Sequence, residues 1–329
     1  MTEMDLKISV AMATYNGEAF VEKQIESILR QTRLPDELVV SDDCSSDRTV
    51  ELIKKATKGC PFAVRIFQNA RNVGMNGNFD IAISEATGDI IIPSDWDDYW
   101  LPERVSVTAS VFAENRDVVL VYCDAELADR DLRPTGTTLF DCRPRLRVVT
   151  EVRGAEALAG AALVQGMTIA FHRNVKPFVL PFCDQCTWDR WLALIAPAVG
   201  EVRSIDRRLV YYRRHGKNLV PLEWEEGLKR RWIRAEDRNF YAYRVSRWEA
   251  VHRRLKEIKA RAPLLPPGNR LDEFVEASWC CLRFARRREN MKERPRIARV
   301  FGALSSLARG DYHRYADGTR SCVLDMAAR

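Results

Sequence analysis

The first hundred residues repeat one pattern four times: a short apolar run ends in polar residues, and apolar positions at helical spacing follow. Lys7–Thr14 (KISVAMAT) is strand-like, breaks at Tyr15-Asn16-Gly17, and leads to Phe20, Val21, Ile25, Ile28 and Leu29. Glu37–Asp43 (ELVVSDD) is the second run, after which Ser45, Ser46 and Asp47 offer caps for a helix through Val50 and Ile53. Ala63–Gln68 is the third, and Asn72–Asn78 (NVGMNGN) is a turn-rich loop before a helix through Phe79, Ala82 and Ala86. Gly88–Pro93 (GDIIIP) is the fourth and ends in Ser94-Asp95-Trp96-Asp97-Asp98, with Pro102 where a helix start tolerates it. Alternation of this kind predicts an α/β fold, a mostly parallel sheet with helices on both faces. Ligands of such sheets bind beyond the carboxyl ends of the strands. The polar clusters Thr14–Gly17, Ser41–Ser46 and Asp95–Asp98 fall there.

Strand-like stretches return at Val118–Cys123, Met167–His172 and Arg208–Tyr212, with a helix around Thr187–Ala196. Beyond residue 220 the character changes. Leu228–Ile258 is long, arginine-rich and helical in period, Pro263–Pro267 breaks it, and Leu271–Arg288 and Ile297–Leu307 read as two more helices. The chain therefore divides into an α/β domain over 1–220 and a basic helical region over 221–329. The net charge of +6 hides the same division, because residues 221–329 carry 25 Lys+Arg against 15 Asp+Glu.

Tyr241, Val245, Trp248, Val251, Leu255 and Ile258 form one apolar face in that region. Ile297, Val300, Phe301, Leu304 and Leu307 form another, after the run Arg286-Arg287-Arg288. The apolar faces are expected to pack on the α/β domain or on a second subunit, which leaves room for a homo-oligomer. The excess charge is expected to draw the protein to an anionic membrane in a salt-reversible way.

A hydrophobic content of 46% is too high for a disordered chain, and no uncharged stretch reaches the ~20 residues that a spanning helix needs. The opening MTEMDLKISV is acidic and then strand-like, which is not the pattern of a secretory leader. Nine cysteines, an odd number, read as reduced thiols of a cytoplasmic protein. Cys183-Asp184-Gln185-Cys186 is a lone CxxC, and a structural zinc site needs a second pair. Trp100 is expected to pack beneath the acidic loop and His172 to end a strand.

Asp95, Asp97 and Asp98 put three carboxylates at a strand end. Like charges this close repel, and Mg²⁺ or Mn²⁺ held by one or two carboxylates and substrate phosphates would relieve them. The plainer reading is a solvated acidic turn. No GxGxxG follows the first strand, which argues against a dinucleotide dehydrogenase, and no GxxxxGK[ST] occurs, which excludes a P-loop NTPase on motif grounds.

Three segments, VAMATYNGEAFVEKQIESILRQT, ELVVSDDCSSDRTVE and NVGMNGNFDIAISEATGDIIIPSDWDDYW, together resemble the family 2 glycosyltransferases. The later WDRWLALIA and LVYYRRHGKN resemble the branch that includes bacterial rhamnosyltransferases of cell-surface polysaccharide assembly. The resemblance runs from Lys7 to Asn218. It implies a GT-A fold, Rossmann-like, with a nucleotide-sugar donor (dTDP- or UDP-linked, rhamnose favoured), a divalent metal and inversion at the anomeric carbon. The implied acceptor is a glycan, often lipid-linked at the inner membrane face.

By the same resemblance Thr14 and Tyr15 hold the nucleobase, and Asp43 reads a pyrimidine imide N–H, which suits a group that can only accept. Gly74 and Asn76 match the loop that approaches ribose or phosphates. Asp95 and Asp97 match a DXD motif, with Asp97 the direct metal ligand, Asp95 on ribose or metal, and Asp98 supporting. Trp96 stands where Gln is usual. Asp189 matches the catalytic base at the head of a helix, where Trp188 replaces the usual His. His215 matches a late loop that closes over the donor diphosphate, with Arg214 beside it.

Three other readings compete. A glycosyltransferase-like scaffold could bind carbohydrate without turnover, but Asp189 and the DXD pattern weigh against it. The arginine-rich C-terminal region suggests nucleic acid, but no recognised module supports that. A nucleotidyltransferase would need a glycine-rich loop with a lysine, which Thr14–Gly17 lacks.

Overall fold

The computed structural model describes residues 6–142, 164–215, 238–261, 270–315 and 319–327. The strands β1 (Ile8–Thr14), β2 (Glu37–Asp42), β3 (Ala63–Gln68) and β4 (Ile90–Ser94) alternate with the helices α1 (Val21–Leu29), α2 (Thr49–Ala56) and α3 (Gly74–Glu85). The four strands are parallel in the order β3-β2-β1-β4. Every residue of β1, β2 and β4 is buried, which is why these strands read as continuous apolar runs rather than as alternation. The order reverses between β1 and β4, so the loops after those strands diverge and leave a crevice at their carboxyl ends.

The second half of the sheet is mixed. After β5 (Tyr99–Trp100) and α4 (Arg104–Glu114) come β6 (Val118–Ala128), β7 (Pro134–Thr138) and α5 (Leu139–Cys142), then β8 (Ile169–His172), α6 (Lys176–Val179), α7 (Trp188–Ile195) and β9 (Glu201–Arg213). The sheet continues β4-β8-β6-β9-β5, with β7 paired to β6. β8 runs antiparallel to both neighbours, whereas β9 is parallel to β6 and antiparallel to β5.

Several local expectations need correction. β9 spans 13 residues rather than Arg208–Tyr212, because its first half pairs with β6 through Glu201–Ile205, a mixed stretch with only Val202 and Ile205 apolar. Met167 and Thr168 belong to a 3₁₀ turn ahead of β8. α3 already begins at Gly74, inside the stretch that reads as a loop. Ser45 does not cap α2: it bonds Asp42 and accepts the Asn16 N–H, while Asp47 Oδ1 takes the Thr49 N–H at 3.0 Å. Trp100 is 1% exposed with the Arg104 guanidinium 4.8 Å from its ring, and His172 closes β8, accepting the Asn174 N–H.

One buried acid ties the sheet together. Glu37 accepts from Ser9 Oγ (2.6 Å), the Thr87 N–H (2.6 Å) and Arg65 (2.8 Å). Burial alone would raise its pKa, but these hydrogen bonds outweigh burial and hold it down at about 2.

The C-terminal helices are α8 (Arg238–Ala260), α9 (Leu271–Lys292), α10 (Arg296–Ala308), α11 (Asp311–Tyr315) and α12 (Thr319–Ala327). α8 pairs with α9 and also packs on α7. The face Tyr241, Val245, Trp248, Val251, Leu255, Ile258 is buried throughout, and its last five residues join the same core as the α/β sheet. The proposed boundary at residue 220, the first turns from Leu228 and the break at Pro263–Pro267 lie outside the described residues. Asp325 fastens the far end, accepting both Arg288 nitrogens (2.6 and 2.7 Å) and the hydroxyls of Tyr241 and Tyr312. α10 is turned the other way, with Ile297, Phe301 and Leu304 at 75%, 69% and 46% exposure.

Candidate active site

Thr14 and Asp42 are register neighbours at the ends of β1 and β2. Thr14 Oγ1 donates to Asp42 at 2.8 Å, and Asp42 also takes the N–H and hydroxyl of Ser45. The Asn16 side chain, on a residue of φ +47°, accepts the Ser46 N–H and so stitches the two loops. Thr14 is thereby buried and spoken for, while Tyr15 stands out at 47% exposure.

Asp43 is 2% exposed. Its carboxylate accepts from Asn69 (3.1 Å), the Val73 N–H (2.7 Å) and the Gly74 N–H (2.9 Å). Asp43 therefore anchors the start of α3, where Gly74 has φ +79°, a conformation that strains any residue with a side chain. Asn76 lies one turn on, and its amide is used in full. Nδ2 donates to the carbonyls of Cys183 (2.9 Å) and Cys186 (2.8 Å), and Oδ1 accepts the Trp188 N–H at 2.8 Å. In this arrangement Asn76, expected near ribose or phosphates, ties the CxxC segment to the head of α7. Both cysteines are free thiols.

The acidic loop follows β4. Asp98 is buried and accepts the Arg213 N–H at 3.3 Å, while Arg213 Nε donates to the Asp97 carbonyl at 2.8 Å. Asp97 Oδ2 meets His215 Nε2 at 2.8 Å. The His215 ring is buried, stacked on Phe20 at 4.8 Å and tilted against Trp96 at 6.0 Å. His215, expected on the donor diphosphate, here braces Asp97. Trp96 covers Gly17, where a Cβ would lie 2.8 Å from the indole, so the glycine of Tyr15-Asn16-Gly17 makes room for this departure from the family pattern.

Asp189 opens α7, where the dipole favours a carboxylate. Oδ1 accepts the Arg190 N–H at 2.7 Å and the Thr187 hydroxyl, and Oδ2 accepts the Gly166 N–H at 3.0 Å. Three donors from two segments thus hold it in one orientation. Burial first, and then the Asp97 and Asp189 carboxylates, push Asp95 well above the usual carboxylate range. Burial with Asp97 and Asp95 does the same to Asp98. The helix-head aspartate and the acidic loop, some ninety residues apart in the chain, therefore share one field.

Among the described residues no group of three or more His, Cys, Asp or Glu side chains is arranged to hold a metal ion. The donors that are present fit a cation shared with substrate phosphates: Asp95 and Asp97 are hard oxygen ligands with uncompensated repulsion, and His215 occupies one Asp97 oxygen. Gly17, Phe20, Gly166, Thr187 and Arg213 were not singled out from sequence. Gly17, Phe20 and Thr187 read there only as turn and helix residues, and no spacing rule connects Gly17 with Trp96 or Gly166 with Trp188.

The family model described as glycosyl transferase family 2 matches residues 9–170. An uncharacterized glycosyltransferase of Nostoc sp. is 28% identical over 65% of this chain and 66% of its own. The Escherichia coli UDP-Glc:alpha-D-GlcNAc-diphosphoundecaprenol beta-1,3-glucosyltransferase WfaP is 25% identical over 67% of this chain and 82% of its own. EpsE of Bacillus subtilis shares 32% over 41% of its length, so the chain spans less than two thirds of the first curated relatives it matches. Among solved structures, Staphylococcus aureus TarS 1–349 in complex with UDP-GlcNAc superposes with a TM-score of 0.57 at 15% identity, over 96% of this chain and 90% of that one. The Pyrobaculum calidifontis mannosyltransferase PcManGT in complex with GDP-Man and Mn²⁺ gives 0.50 at 20%, over 98% and 86%. These likenesses bear out the GT-A fold.

Proposed function

We propose that the chain, whose residues 9–170 match the glycosyl transferase family 2 model, is a member of that family that moves a sugar from a nucleoside-diphosphate donor to a hydroxyl of a polysaccharide or lipid-linked glycan acceptor. The observation that carries this reading is the convergence of Asp189 with the acidic loop, expressed in the electrostatic pressure of Asp97 and Asp189 on Asp95. A scaffold that only bound carbohydrate would gain nothing from a carboxylate oriented by three donors beside three others.

In this reading Asp189 takes the proton of the acceptor hydroxyl as its oxygen attacks the anomeric carbon, and the displacement inverts that carbon. The Gly166 N–H, the Arg190 N–H and the Thr187 hydroxyl keep the carboxylate aimed. Asp95 and Asp97 would hold Mg²⁺ or Mn²⁺, which when bound supplies charge neutralisation for the leaving diphosphate. His215 and Arg213 fix Asp97, and Asp98 supports from below.

On the donor side, Tyr15 offers an exposed ring for the base beside Thr14. Asp43 already accepts three N–H groups and keeps a lone pair for a pyrimidine imide, which points to UDP or dTDP. The Gly74 turn brings main chain close to the ribose. The UDP-glucose named for WfaP supports UDP, and the resemblance to rhamnosyltransferases supports dTDP-rhamnose. Among the described residues no helix is long and apolar enough to cross a membrane, so a lipid-linked acceptor would be met by peripheral contact, in this reading at the cytoplasmic face.

Incubating the protein with a panel of nucleotide sugars, acceptor glycans and Mn²⁺ tests the proposal. Transfer from a pyrimidine-linked donor with inverted configuration is expected. Asp189→Asn should lower turnover on the order of 10²-fold with nucleotide affinity kept. A retained configuration, or full activity of the variant, would overturn it.

A further inference from the structure

We propose that α10 docks the protein on an anionic lipid surface through the outward row Ile297, Phe301, Leu304 and Ala308. The assignment deepens the lipid-linked acceptor reading and rests on it for its purpose.

The four residues are spaced four, three and four apart, so they share one face of the helix. All four are exposed, Ile297 at 75% and Phe301 at 69%, while Arg299, Ala303 and Ser306 face inward. A helix of a water-soluble domain ordinarily does the reverse. In the same region α8 follows the ordinary rule and buries all six residues of its apolar face. The inversion is thus particular to α10.

Charge decides what covers the row. Of the charged residues over 292–311, Arg294 and Arg296 are exposed beside Glu293, Arg299 is buried, and Arg309 pairs with Asp311. Arg294 and Arg296 flank the N-terminal end of α10, where the helix dipole disfavours positive charge, so they are not there for the helix. Both are exposed, and among the described residues neither has an acidic partner. At the other end Arg309 pairs with Asp311 at 3.2 Å, so the uncompensated charge lies at the N-terminal end. A second copy seated parallel on the same row would set Arg294 and Arg296 against their own copies, which repels. An anionic bilayer accepts the apolar row and the exposed Arg294 and Arg296 at once.

Co-sedimentation of the full chain with phosphatidylcholine vesicles, with and without phosphatidylglycerol, tests this. The wild-type protein should be retained on the anionic vesicles at low salt and released at high salt. Ile297→Ser combined with Phe301→Ser should cut retention about tenfold or more, and Arg294→Glu combined with Arg296→Glu should remove the salt dependence. These side chains are exposed, so thermal unfolding and transfer to a soluble acceptor should not change. No donor or acceptor enters the vesicle assay, so the docking proposal and the transferase reading fail separately. Equal binding to neutral vesicles, undiminished binding of the serine variant, or a dimer that the serine variant dissolves would each overturn the proposal.

Discussion

The backbone N–H of Gly166 donates to Asp189 Oδ2 at 3.0 Å, and the Trp188 indole lies so close that a Cβ on Gly166 would meet it at 2.5 Å. The residue that aims the proposed base is therefore a glycine for a steric reason. The base cannot receive this hydrogen bond unless the main chain comes within contact distance of the residue before it.

Gly166→Ala should accordingly lower kcat by roughly 10–10²-fold, as the displaced Trp188 and Asp189 leave the reactive geometry. The donor KM should stay near the wild-type value, since nothing places Gly166 on the donor side. Steady-state kinetics separates the two, and an unchanged kcat would remove Gly166 from the positioning of Asp189.

Asp97→Ala removes one of the two proposed metal ligands and the partner of His215. Mn²⁺-dependent binding of UDP or dTDP should fall at least tenfold by calorimetry, and transfer should be lost. Wild-type transfer that persists undiminished in EDTA would count against the metal assignment.

Asp43→Asn replaces an acceptor-only group by one that also donates, facing three existing donors. The mismatch should destabilise the fold by about 1–3 kcal/mol and weaken UDP or dTDP binding together. Chemical denaturation and nucleotide titration read the two effects. Equal affinity of the wild-type protein for UDP and GDP would sink the nucleobase role and leave only the anchoring of α3.

Glu37 should make stability acid-sensitive. Its pKa is about 2 in the fold against 4.5 for the free side chain, so its contribution is complete above pH 4.5 and disappears as pH falls through about 2. The shift corresponds to on the order of 3 kcal/mol at neutral pH. Glu37→Gln should lower the neutral-pH stability and flatten the stability–pH curve between about pH 5 and 2. A curve parallel to that of the wild type would assign the acid sensitivity elsewhere.

The amino-acid sequence alone determined the core of β1, β2 and β4. Strands buried on both faces must be continuous apolar runs, and the polar residues that end them mark the ligand edge whatever else the chain does. It also determined that Asp95, Asp97 and Asp98 lie at that edge. It did not determine what each polar group bonds to. Asn76 and His215 carry side chains able to contact a phosphate, and only the fold turned one toward Cys183, Cys186 and Trp188 and the other toward Asp97.

The C-terminal helices show the same limit in apolar terms. α8 and α10 have the same three-and-four periodicity, yet one face is buried against the core and the other stands in solvent. Periodicity records that a helix has an apolar face. What covers that face depends on which surfaces tertiary packing brings within contact distance, and residues far apart in the chain supply those surfaces.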